Sequence, residues 1–179
     1  AKSDAGATGQ GFVIINNAEA DISISYTRFE NLLLPLNFEY GWSRPSVELT
    51  QNEFIKNAGS TAVLQLLNPG LTGDAASRKT VFVIKKNLFA ENFAPLYIED
   101  LVSDRMQVIL ESNAFVNNRI AEYGKYTFSS NFLFGRMDKT ATKYKAIIAG
   151  NSFVGNVLWD NNADTVLHAA NIGLYGSFD

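Results

Sequence analysis

Apolar and polar residues alternate over short stretches that recur along the chain. Ile22 and Ile24 are interleaved with Ser23 and Ser25, and Val47 and Leu49 with Glu48 and Thr50. Phe82 and Ile84, Val108 and Leu110, and Ala146 and Ile148 repeat the apolar half of that pattern. A period of two places every second side chain on one face of an extended chain, so each stretch predicts a short strand with one buried face. A shared motif follows each strand: Asn-x-Phe-x-x-Asn occurs at Asn52, Phe54, Asn57; at Asn87, Phe89, Asn92; at Asn113, Phe115, Asn118; and at Asn151, Phe153, Asn156. A degenerate fifth copy centres on Phe29.

Aligned on the Phe, the five copies keep apolar residues seven and five positions upstream. Each copy then reads as a strand, a turn at the first Asn, an inward Phe, a turn near the second Asn and a second strand. The second strands are expected at Leu34–Phe38, Ala62–Leu66 and Leu96–Ile98, with Gly11–Ile15 as the matching part of an earlier, incomplete coil. The phenylalanines lie 25, 35, 26 and 38 residues apart, which fits a basic coil of about 25 residues with two insertions. The first insertion, about 68–78, is rich in Gly, Ser, Ala and Asp. The second, about 123–143, includes an aromatic stretch from Tyr126 to Phe134 that is open to a second reading as part of an extra coil.

A unit this short cannot bury its own apolar side, so neighbours must stack and share one core. The expected fold is all-β, a parallel β-helix solenoid of about five to six coils, with residues 1–10 as a polar lead and 11–179 as a single domain. Stacked coils turn equal positions into columns: phenyl rings inside and amides at the turns. Asn tolerates left-handed backbone there, and its amide can bond the copies above and below. On this reading Phe89→Ala or Phe115→Ala costs about 3–5 kcal/mol and Asn87→Ala less.

Composition narrows the function. The 179 residues are 46% hydrophobic and 18% charged, as in ordinary globular domains, and no apolar run approaches the length of a membrane helix. A net charge of −3 with 15 scattered Lys and Arg argues against a nucleic-acid surface. The absence of Cys removes disulfides, thiol catalysis and zinc-thiolate sites. Eighteen Asn residues include no Asn-x-Ser/Thr sequon.

With its turn asparagines and aromatic stack, the segment Gly11–Asn161 resembles the right-handed parallel β-helix, or pectate-lyase-like, superfamily. The resemblance implies right-handed coils and a bacterial extracellular or cell-surface setting. It leaves activity open, because that fold hosts lyases, hydrolases, epimerases, phage spikes and passive adhesin modules. The chain departs from the family in two respects. Ala1–Gly11 lacks the helical periodicity of a capping helix, and Ala169–Asp179 is short and interrupted by Gly. Part of a longer protein or assembly is therefore expected, with open ends that pack on further domains or chains.

Candidate chemistry is sparse. Seven residues after the Phe, Glu122 and Asp160 fall in register, with Arg119 and Arg136 nearby in sequence, and offer a catalytic or sugar-binding patch. Tyr40 and Trp42 are candidates for stacking on a sugar ring. Asp100 and Arg105, with Glu99 and Asp104, form a polar cluster beyond a strand. Lys85 over Glu111 reads as a solvated ion pair, and His168, the sole histidine, as structural. One outward column, Ser23, Glu48, Val83, Ile109, Ile147, turns apolar toward the C-terminal half and calls for a cover, either the 126–134 stretch or a partner. No metal site or cofactor is expected. The reading favoured is a non-catalytic module of a secreted or surface protein, a rigid scaffold or binding platform with carbohydrate or protein as partner. The alternative is a polysaccharide lyase or glycoside hydrolase with its site on the outer face.

Overall fold

The computed structural model describes residues 12–16, 21–33, 35–40, 46–58, 64–68, 80–93, 96–100, 106–120, 128–135, 143–158, 168–175 and 177–178. All of the regular structure among them is β, and no helix long and apolar enough to cross a membrane is present. One sheet holds β1 (Phe12–Asn16), β4 (Leu36–Tyr40), β7 (Leu64–Asn68), β10 (Leu96–Asp100), β14 (Phe128–Gly135) and β18 (His168–Tyr175), in that spatial order. A second holds β2 (Ile22–Ser25), β5 (Val47–Thr50), β8 (Thr80–Lys85), β11 (Met106–Glu111), β15 (Lys143–Ala149) and β19 (Ser177–Phe178). A third holds β3 (Arg28–Glu30), β6 (Glu53–Ile55), β9 (Leu88–Ala90), β12 (Ala114–Val116) and β16 (Ser152–Val154). The short strands β13 (Arg119–Ile120) and β17 (Val157–Leu158) pair beside it.

Every one of these pairings is parallel, and each strand pairs with its counterpart in the next copy of the motif. The chain visits the second sheet, the third and the first in turn, then returns one step along the stack. This path is consistent with a parallel β-helix.

The apolar columns fall where the alternation requires. Val47, Phe82 and Val108 are in register, as are Leu49, Ile84 and Leu110, and all six are buried. Opposite them, the first sheet contributes buried Leu36, Leu96, Ile98 and Phe132. Phe29, Phe54, Phe89, Phe115 and Phe153 stack with ring centroids 4.8–4.9 Å apart and planes within 8°. That spacing is the inter-strand distance itself, so the backbone ladder sets the ring separation.

The turns are built by two residues with separate tasks. Tyr26, Gln51, Lys86, Ser112 and Gly150 form one column of positive φ, and Asn31, Lys56, Glu91, Asn117 and Gly155 form another. Each immediately precedes a ladder position, so the left-handed residue is the neighbour before the ladder asparagine and not that asparagine itself, as the sequence had suggested. None of these residues is β-branched, the class for which this conformation is most costly. The asparagines serve as hydrogen-bonding hubs. Asn87 donates its backbone N–H and one Nδ2 hydrogen to Asn113 Oδ1 (2.9 and 3.0 Å), and the other Nδ2 hydrogen to the Leu49 carbonyl (2.8 Å). Its own Oδ1 accepts from the N–H and Nδ2 of Asn52 (2.9 and 3.1 Å). Asn57, Asn92, Asn118 and Asn156 repeat the scheme at the second turn. The buried amides are thereby satisfied, which is what permits them in a core.

Two sequence expectations change. Two second strands of the motif are shifted from where alternation alone puts them, β4 running Leu36–Tyr40 and not Leu34–Phe38 and β7 running Leu64–Asn68 and not Ala62–Leu66, while β10 begins at Leu96 as expected and continues to Asp100. Most of the stretch 126–134 is not an inserted loop. Phe128–Gly135 is a strand of the first sheet, paired on both sides, and Phe132 is completely buried, so this segment is part of the column and not a cover for another face. Residues 1–10 and 69–78 lie outside the described residues.

Candidate functional site

The outer faces carry the polar chemistry, arranged by the same register that builds the core. Lys85 and Glu111 occupy one outward position on adjacent strands and form an ion pair of 2.7 Å, as expected. The hydrogen bond from Lys85, and then its charge, hold the Glu111 carboxyl below the usual carboxylate range; partial desolvation opposes them. On the third sheet Arg28 lies between Glu30 (3.0 Å) and Glu53 (3.2 Å). The hydrogen bond to Arg28 lowers the Glu30 carboxyl in the same way. Lys56 and Glu91 approach to 3.9 Å at the second turn. All these groups are exposed, so they form surface pairs, between adjacent coils except for Arg28–Glu30, which lies within β3. Among the described residues no three His, Asp or Glu groups come close enough to hold a metal ion.

The outward column Ser23, Glu48, Val83, Ile109, Ile147 is in register throughout. Val83 and Ile109 are half-buried, whereas Ile147 is 41% exposed. Gln107, on the same face, is buried although its register points outward. Sequence reasoning missed this, because a lone Gln on an outward position carries no signal of burial.

Two of the sequence-predicted site residues, Tyr40 and Asp100, lie at the ends of strands. Tyr40 closes β4 opposite Asn16, and Asp100 closes β10 opposite Asn68. The pairing of Glu39, Leu67 and Glu99 places Tyr40 and Asp100 in one row, with β7 between them. Their backbones are therefore about 10 Å apart across two strand spacings; their side chains are outside the described residues, as is that of His168 at the start of β18. Trp42, Arg105, Glu122, Arg136 and Asp160 lie outside the described residues altogether. The register leading to the acid pair is described: Arg119 pairs with Val157 and Ile120 with Leu158, two residues short of Glu122 and Asp160. No protein-family model, curated protein or solved structure matches this chain.

Proposed function

We propose that this chain is a rigid, non-catalytic module: a right-handed parallel β-helix of about five to six coils, with inserted loops near 68–78 and within 123–143. It would work as a scaffold or binding platform in a secreted or cell-surface protein. The observation that supports this reading is the continuity of the phenyl stack through all five copies and of the two amide columns through the four copies that carry the full motif. Such an axial network, with fixed hydrogen bonds at every turn, resists bending and holds the outer faces at fixed spacing. The cross-coil pairing of Arg28, Lys56 and Lys85 with acids fits a solvated rod surface. Carbohydrate or protein is the partner class, and the row ending in Tyr40 and Asp100 is the candidate contact edge.

The register of Ile120 with Leu158 favours a second reading, since it brings the strands that lead to Glu122 and Asp160 side by side. That reading is a polysaccharide lyase or hydrolase with Glu122 and Asp160 as the acids and Arg136, nearby in sequence, as a further candidate. Incubation with acidic polysaccharides, followed by absorbance of unsaturated products and by reducing-end assay, separates the two. The module predicts no turnover, with Glu122→Ala and Asp160→Ala as stable as the parent. Turnover abolished by either substitution would establish the enzyme.

A further inference from the structure

The two amide columns have a direction, and their two ends differ in chemistry. Each ladder asparagine sends its backbone N–H toward the following copy, where the next Oδ1 accepts it: Asn52 to Asn87, Asn87 to Asn113, Asn113 to Asn151. The left-handed residue before it does the same toward a backbone carbonyl: Gln51 to Lys85, Lys86 to Glu111, Ser112 to Ala149. At the start of the stack the series is closed by residue type. Thr27 and Leu32 stand where later copies have Asn; they donate their N–H groups to Asn52 and Asn57 and have no amide to extend the column backward. The Thr27 hydroxyl turns to its own strand, onto the Ser25 carbonyl.

The other end differs. Asn151 and Asn156 retain full amides, but among the described residues no following Oδ1 meets them. The second Nδ2 hydrogen of Asn151 falls back on Ala149 of its own copy at 3.2 Å, where Asn113 in the same role reaches Asn151 Oδ1 at 2.9 Å. Burial changes with it. Val108, Leu110, Phe115, Asn113 and Asn118 are buried, whereas their counterparts Ala146, Ile148, Phe153, Asn151 and Asn156 are half-exposed. The end face thus presents a phenyl ring, two aliphatic side chains, two amides and the open edges of β15 and β16. The path of an occupant is marked already, because Ser177 and Phe178 of β19 pair in parallel with Lys143 and Tyr144.

We infer that this end face is a docking edge for one further coil: an extended segment parallel to β15 and β16 that carries Asn or Asp, then an aromatic two residues on and Asn or Asp five residues on. Such a segment continues the existing interface between copies by strand addition. Its oxygens accept from Asn151 and Asn156, and its ring stacks on Phe153. A second copy of this chain is the poorer occupant. Its first coil would set Leu32, whose side chain carries no acceptor, against Asn156, and Thr27, whose short hydroxyl is turned onto its own strand, against Asn151. The inference rests on the polarity of the stack and not on the scaffold reading, so a polysaccharide-cleaving chain would carry it equally.

The test extends the full chain after Asp179 with a copy of residues 108–120, which continues the register of β19. A control extension has leucine in place of both ladder asparagines. Amide hydrogen exchange at Gly150, Asn151, Gly155 and Asn156 is compared with that of the unextended chain at two protein concentrations. The expected result is slowing of about tenfold or more at those four amides with the asparagine extension, and rates close to the parent with the leucine one. Parent-like rates in both extensions, or equal protection by both, would overturn the inference. Concentration-dependent protection of the same amides in the unextended chain would also overturn it, by making a second copy the occupant.

Discussion

Gly155 lies over Asn117 in the second column of left-handed residues, so close that a Cβ at Gly155 would overlap Asn117 Oδ1. Lys56, Glu91 and Asn117 occupy the same column with Cβ atoms, so the backbone path itself accepts a side chain there. What a substitution meets is the left-handed cost together with the present placement of the Asn117 amide. Gly155→Ala is expected to lower stability by about 1–2 kcal/mol. In an Asn117→Ala background the added loss is smaller, because the overlapping oxygen is gone. A double-mutant cycle from denaturant melts measures that coupling.

The phenyl stack predicts a gradient. Phe115→Ala empties a fully buried site between two rings and costs about 3–5 kcal/mol. Phe153→Ala, at the half-exposed end and with one stacked ring among the described residues, costs distinctly less. Equal losses in equilibrium unfolding would mean that the end copy is as enclosed as the middle ones.

Asn87→Ala is where structure revises the expectation from sequence. The substitution strands the N–H and Nδ2 of Asn52 and the carbonyl of Leu49, in a site where Asn52 and Asn87 are nearly inaccessible to solvent. Each orphaned group costs about 1–3 kcal/mol, so the total rivals the loss of a phenyl ring at about 3–5 kcal/mol. Asn156→Ala, at the half-exposed end, costs less. Ranking the two variants by melt midpoint checks the argument.

The Lys85–Glu111 pair predicts a pH dependence of definite sign. The Glu111 carboxyl is held below its ordinary range in the folded chain. Its contribution to stability is therefore present above the unfolded carboxylate pKa and is lost as the pH falls through the lower, folded value. Glu111→Gln and the parent should differ slightly near neutral pH and converge in acid. Added salt should shrink the neutral difference, because both groups are exposed. Denaturant midpoints across pH and salt supply the measurement.

The column was legible in the sequence because its signals are periodic and mutually reinforcing. Apolar positions seven and five before each Phe fix the register of the second sheet, and two asparagines five residues apart fix both turns. Lys85 over Glu111 follows from that register alone. The first sheet was harder to read: Phe132 sits far from Phe115 along the chain although it buries in the same core, so its strand could be read either as an insertion or as part of an extra coil. The assignment of left-handed backbone to the ladder asparagines followed their general tolerance of it, whereas tertiary hydrogen bonding gives them another task and leaves the strained φ to Tyr26, Gln51, Lys86 and Ser112. Glu122 and Asp160 lie two residues beyond the described pairing of Ile120 with Leu158, past the end of the sequence periodicity, where a one-residue shift changes what is adjacent.

Variation in chain length is confined to particular sides of the coil. The left-handed residues of the two turns stay five apart in every copy, from Tyr26 and Asn31 to Gly150 and Gly155. The path from the Phe to the first sheet, by contrast, stretches from Phe29–Leu36 to Phe115–Phe132. One corner therefore acts as a fixed hinge pin and the two sides that flank the first sheet as elastic sleeves. Foreign peptides spliced into either sleeve would be displayed at strand-spacing intervals along the edge it forms, with the pin holding the rest of the molecule in phase.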